Sequence, residues 1–271
     1  LLINKGTLSV ASKNNFLVLH SMPVTYKLFN KYFLILRDRF IELCCNKIIT
    51  VSNACQIAIK NETGFEAEPH VIYNGIPLDK PKTNDILPPW DKKHLSIAFF
   101  GGLQHLKGIH ILIDSLQYIE TPCELVLVGN GDEKYVEYLN KLSQKSKWKV
   151  HFVGFRKDAL SLYRWVDVVA LVSIQFESFG ISLLEGMLWE KALVCSDFGG
   201  MREIVIAEEN GLISSANNAH ALAVSLDLIL SNEKLRTDMG EKGRKRLEDF
   251  FTAKQMYNNY KALINKDILV F

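Results

Sequence analysis

Short apolar runs recur along the chain, separated by stretches in which hydrophobic residues return every three or four positions. The runs at 16–20, 47–51, 69–73, 95–100, 123–128, 149–153, 167–172, 192–195 and 211–213 predict strands, and the near-continuous ones (LSIAFF, CELVLV, DVVALV) suit strands covered on both faces. Helical periodicity fills most of the intervals, as at 108–119, 132–146 and 181–189. Strand alternating with helix predicts an α/β architecture of parallel layers, and no internal repeat or low-complexity segment interrupts it. Proline breaks the pattern once. Four of the seven prolines (Pro77, Pro81, Pro88 and Pro89) fall in a polar stretch, where they remove backbone donors and disfavour helix at the preceding residue. This divides the chain into a unit over 1–79, a linker over 80–93, a larger unit over 94–248 and a terminal segment over 249–271.

Composition narrows the class. A chain of 271 residues, 48% hydrophobic and 23% charged, is globular and holds one large or two modest domains. A net charge of +2 implies no broad polycationic face, so nucleic acid is not an expected partner. The five cysteines (Cys44, Cys45, Cys55, Cys123 and Cys195) are odd in number and lack paired metal-type spacing, which fits reduced thiols in a cytoplasmic protein. No apolar run long enough to span a bilayer occurs without a charge. The segment YKLFNKYFLILRDRF, Tyr26 to Phe40, has two readings: a buried helix with basic ends, or a peripheral contact with an anionic membrane. Its apolar residues fill most of the helix circumference, which favours burial.

The chemistry concentrates in ESFGISLLEGM. Glu177 sits in the turn before a predicted helix and Glu185 lies inside it, with Gly180 between them to admit a ligand close to the backbone. Amides at the helix start face an anion, Glu185 reaches a ribose diol, and Glu177 is left for a sugar, an arrangement that suits a sugar nucleotide. Thirty acidic residues give about three acidic pairs at any chosen offset by chance, so the neighbouring residues must carry the signal. Strand LSIAFF leads into Gly101, Gly102, a short loop and Lys107-Gly108, where exposed amides and one lysine can hold a pyrophosphate; the bland alternative is a surface lysine near a helix start. The run ELVLVGNGDE lacks the third glycine of a dinucleotide fingerprint and reads as a tight strand-to-helix turn. Asn74-Gly75 reads as a turn dipeptide without a ligand role.

Together these segments resemble the retaining glycosyltransferases of family four, whose hallmark is a glutamate, seven residues and a second glutamate, on the GT-B fold of two Rossmann-like domains facing across a cleft. The resemblance implies that Glu177 and the amides of Ser178, Phe179, Gly180 and Ile181 hold the donor sugar and that Glu185 holds the ribose. It implies that Gly101, Gly102 and Lys107 face the diphosphate, although Gly102 replaces the family's usual arginine. It places the base near Gly154 and Phe155, where a simple turn glycine is the alternative, and His20 beside the transferring sugar, where a structural histidine is the alternative. SDFGGMREIV resembles the family's strand, double glycine and glutamate, without the usual preceding proline. The terminal helix with Tyr257 and Tyr260 is expected to pack back on the first domain. The chain opens Leu-Leu at a point inside the family's first domain, so about half of that domain is expected to be absent.

The expected function is metal-independent, retaining transfer of a sugar from a UDP- or GDP-sugar to a hydroxyl of a growing glycan or lipid-linked glycan, in surface polysaccharide or lipopolysaccharide synthesis. No cofactor is expected, and no Asp-x-Asp triplet offers a metal clamp. Two other readings stand beside it: a sugar-nucleotide epimerase or phosphorylase on the same scaffold, and a noncatalytic nucleotide-sugar-binding subunit that needs a partner chain.

Overall fold

A computed structural model describes residues 16–19, 31–45, 47–62, 66, 68–81 and 87–268. In chain order the elements are β1 (Phe16–Leu19), α1 (Lys31–Cys44), β2 (Lys47–Thr50), α2 (Asn53–Glu62) and β3 (His70–Val71), then β4 (Leu95–Phe100), α3 (Ile109–Ser115), β5 (Cys123–Val128), α4 (Glu133–Ser143) and β6 (Lys149–Gly154). There follow α5 (Ala159–Leu162), β7 (Val168–Leu171), α6 (Ile181–Leu188), β8 (Ala192–Ser196), α7 (Met201–Ile204), β9 (Gly211–Ser214), α8 (Ala219–Ser231), α9 (Glu233–Phe250) and α10 (Ala253–Ile268).

The strands form two parallel sheets, one of three strands in the order β1-β2-β3 and one of six in the order β6-β5-β4-β7-β8-β9. The larger sheet winds outward from β4 in one direction and from β7 in the other, which leaves a crevice at the carboxyl ends of those two central strands. Helices cover both faces. Every residue of β5, β7 and β8 is buried, which is why these strands appear in the sequence as runs rather than alternations. The helix starts are set locally: Asp132, Asn218 and Asn232 accept hydrogen bonds from first-turn amides of α4, α8 and α9.

Two local expectations change. Gly75 is not in a turn; it lies flat against the chain, and a Cβ there would meet the Thr252 carbonyl oxygen at 2.2 Å. The approach is needed because Ile76 exchanges backbone hydrogen bonds with Phe251 and Ala253 at the start of α10. Helix α1 is not buried on all sides, since Leu36, Phe40 and Leu43 share one face and are 68%, 60% and 87% exposed. Residues 26–30 of that segment lie outside the described residues. Among the described residues no helix is long and apolar enough to cross a membrane, and Cys55, Cys123 and Cys195 are free thiols.

Candidate functional site

The crevice between β4 and β7 opens into a cavity of about 650 Å³. Its wall brings together Gly101, Gly102 and Lys107 from the loop after β4, Phe155 from the loop after β6, and Glu177, Ser178, Phe179, Gly180, Ile181 and Glu185 from the segment leading into α6. Of the other residues singled out in the sequence, Gly154 lines a neighbouring hollow instead, and His20 lies outside the described residues.

The loop that carries Lys107 is pinned across the crevice. The Ile174 amide donates to the Leu106 carbonyl at 2.9 Å, and Gly108 sits so close to the end of β7 that a Cβ would meet the Val172 carbonyl oxygen at 2.1 Å. Only glycine fits there, with φ of 69°. The ammonium of Lys107 thereby reaches the Glu177 carboxylate and forms an ion pair with it. The hydroxyl of buried Ser173 donates to the same carboxylate oxygen, Oε2, at 3.2 Å.

Glu177, Ser178 and Phe179 rest on the turn after β8. The Gly200 amide donates to the Glu177 carbonyl at 2.9 Å, and a Cβ on Gly199 would stand 2.0 Å from that same oxygen. The buried Phe179 ring packs with Tyr73 and Phe251. Gly180 precedes α6 with φ of 111°, a conformation that other residues rarely adopt, and supplies no side-chain cap. The Leu183 amide donates to the Gly180 carbonyl at 3.0 Å, and Ile181 and Ser182, the first two residues of α6, line the cavity.

Glu185 occupies a different environment. Its Oε2 accepts a hydrogen bond from the Tyr163 hydroxyl at 2.7 Å, and the fully buried Tyr163 ring stacks on Phe100 with centroids 3.7 Å apart. Burial raises the pKa of Glu185 above its ordinary value, and the bond from Tyr163 works against that rise. Burial, joined by the charge of Glu185, pushes the Tyr163 phenol well above its ordinary range, so it stays a donor.

On the far side the ends of β4, β5 and β6 are stitched by bonds from the Gly101 amide to Val128 and from the Gly129 amide to Gly154. Asn130 accepts from the Phe155 amide at 2.9 Å, and Phe155, which lines the cavity, is 66% exposed. Arg156 follows it on the wall, held by Asp158 through two bonds of 2.8 and 2.7 Å.

Sequence reasoning missed Asn74, Asn130, Arg156, Tyr163 and Ser173. Arg156 and Asn130 adjoin residues already singled out, and adjacency was their one signal. Tyr163 and Ser173 carry no local mark. Asn74 was set aside as turn chemistry but lines the cavity. Among the described residues no group of three or more histidine, cysteine or acidic side chains is placed to hold a metal ion.

The chain matches a protein family described as glycosyl transferases group 1 over residues 83–246. An uncharacterized glycosyltransferase of Methanocaldococcus jannaschii is 33% identical over 238 residues, covering 79% of this chain and 60% of that protein. The O-antigen chain mannosyltransferase C of Escherichia coli is 29% identical over 166 residues, covering 60% of this chain and 44% of that protein. The chain therefore spans less than two thirds of the length of these relatives. Anabaena HepE, solved in complex with UDP-glucose, superposes with a TM-score of 0.83 at 23% identity, covering 94% of this chain and 72% of that one. The fold is accordingly of the GT-B type, and the chain belongs to the glycosyl transferases group 1 family.

Proposed function

We propose that this chain carries the donor site of a retaining, metal-independent glycosyltransferase that moves a sugar from a UDP- or GDP-sugar to a hydroxyl of a growing glycan or lipid-linked glycan. The carrying observation is the pairing of Lys107 with Glu177, and of Tyr163 with Glu185, on the wall of one cavity. The relatives point the same way: HepE was solved with UDP-glucose, and the Escherichia coli relative is an O-antigen chain mannosyltransferase.

In this reading the donor diphosphate takes Lys107 away from Glu177. The carboxylate is then free to accept hydroxyls of the sugar, while Glu185 accepts from the ribose diol and Phe155 lies against the base. Breaking the bond between the sugar and the phosphate builds positive charge on the sugar and negative charge on the departing oxygen. Lys107 and the α6 amides stabilise the latter, a preorganised field that contributes several kcal/mol in enzymes generally. The departing oxygen accepts the proton of the acceptor hydroxyl as the new sugar–oxygen bond forms on the same face, so configuration is retained and no separate base is required. Peripheral contact with an anionic bilayer belongs to the same reading; the exposed face of α1 supports it, and co-sedimentation with anionic vesicles measures it.

Calorimetry with UDP- and GDP-sugars, together with acceptor-dependent nucleotide release by the whole natural protein, tests the reading. Glu177→Ala and Glu185→Ala are each expected to weaken donor binding or turnover by tenfold or more, about the effect of losing hydrogen bonds to a charged group. Unchanged binding and turnover in both variants would remove this site from consideration. Nucleotide release that does not depend on an acceptor would argue against transfer, and binding without turnover would support the noncatalytic subunit.

A further inference from the structure

Helix α2 has an incomplete cap of its own. Ser52 accepts from the Cys55 amide at 3.0 Å, as an N-cap serine does, but the amides of Asn53 and Ala54 find no acceptor among the described residues of their own unit. They donate instead to the two carboxylate oxygens of Glu203, at 2.9 and 2.8 Å, and the Asn53 side chain adds a third bond at 2.8 Å. Glu203 lies about 150 positions away, in α7 of the larger sheet's unit. Beside this contact the Ser52 hydroxyl donates to the Ser178 carbonyl at 2.7 Å. The junction of β2 and α2 thus touches the larger unit at residues 178 and 203. Those two segments are fastened to each other by the Gly199-Gly200 turn beneath Glu177 and Ser178. Glu203 itself is held by Arg246, which donates to the Glu203 and Ile204 carbonyls at 2.7 and 2.9 Å and lies over the Phe250 and Phe251 rings.

We propose that Glu203 is a positioning residue for sugar transfer, holding the first turn of α2 so that the smaller unit and the loop bearing Glu177 keep one register. The proposal rests on the donor-site reading above. A carboxylate suits the task because the amino end of a helix carries partial positive charge and its bonds to a charged acceptor are the stronger kind. Within this reading, the residues that grip the donor belong to the larger unit. The acceptor side depends on how the smaller unit meets it. Loss of Glu203 should therefore slow transfer without loosening the donor.

The test uses the whole natural protein with Glu203→Ala, Glu203→Gln and Glu177→Ala, measuring donor Kd by calorimetry, kcat of transfer, melting temperature, and hydrogen exchange at the amides of residues 53 and 54. For Glu203→Ala the expected result is a kcat lower by about tenfold to a hundredfold, the span for losing hydrogen bonds to a charged group. Donor Kd is expected to stay within about twofold, with faster exchange at both amides. Glu203→Gln, which keeps one acceptor oxygen, is expected to fall between Glu203→Ala and the natural protein. An unchanged kcat in Glu203→Ala overturns the proposal. A parallel fall of kcat, donor affinity and melting temperature also overturns it, because that pattern marks a residue that only holds the fold. If Glu177→Ala loses turnover while Glu203→Ala keeps it, the positioning role alone fails; if neither natural protein nor variants transfer sugar, the donor-site reading fails and this role with it.

Discussion

Glu177 and Glu185 are the same residue type, with seven residues between them, on the wall of one cavity, and the protein treats them differently. Glu177 meets a lysine and a serine hydroxyl, so its charge is balanced by a cationic partner. Glu185 meets a neutral phenol against a stacked aromatic pair, and burial penalises its charge. The first environment suits work done through charge and partner exchange. The second suits recognition of a neutral diol through fixed hydrogen-bond geometry, at some expense to stability.

Removing the cation tests the charged side hardest. Lys107→Ala should lower kcat of transfer by about a hundredfold to a thousandfold, the usual effect of deleting one group that stabilises a departing oxyanion. An effect under about fivefold in steady-state transfer assays would mean that the two glutamates do not differ in the way described.

Glu185→Gln probes the other side and separates binding from stability. Donor Kd should rise by about tenfold, with a smaller change in kcat, because a hydrogen bond from a neutral hydroxyl to a charged acceptor is lost. Melting temperature should rise at neutral pH. The sign follows from the raised pKa: the folded protein holds this proton more tightly than the unfolded chain, so its contribution to stability is full below the ordinary value of 4.5 and is lost as pH rises through the folded value. Glutamine removes that dependence, and thermal melts across this pH range would show a flatter profile.

Tyr163→Phe is the smallest change. The Glu185 pKa should move further up, since the bond that opposes its rise is gone, and stability at neutral pH should fall by about 1 kcal/mol. Denaturant unfolding measures the second effect, and the donor Kd should shift by no more than about threefold.

The fold was legible where burial acts on neighbouring residues. Strands such as LSIAFF and CELVLV are buried along nearly their whole length, and that requirement writes itself as a near-continuous apolar run, interrupted only by Ser96 and Glu124. The layout of the segment from Glu177 to Glu185 was legible for a related reason: the loop, the glycine and the helix start follow one another in the chain. Tyr163 was not, because it meets Glu185 only through the packing of separate elements, and Ser173, although four positions before Glu177, was not because nothing in its own run marks its hydroxyl as a partner. Gly75 misled for the opposite reason. Its neighbour makes a familiar turn pair, yet its use is a close approach to Thr252, a residue distant in sequence. The exposed face of α1 also escaped, since circumference alone does not say what covers a helix.

Helix α2 starts beneath a carboxylate supplied from the opposite side of the linker, so residues 1–79 do not encode all the acceptors their own backbone needs. Prepared as a separate fragment, that stretch would turn the amides of Asn53 and Ala54 toward solvent, and its first turn would fray. Reuniting two separately made halves should restore order at that turn before it restores anything else.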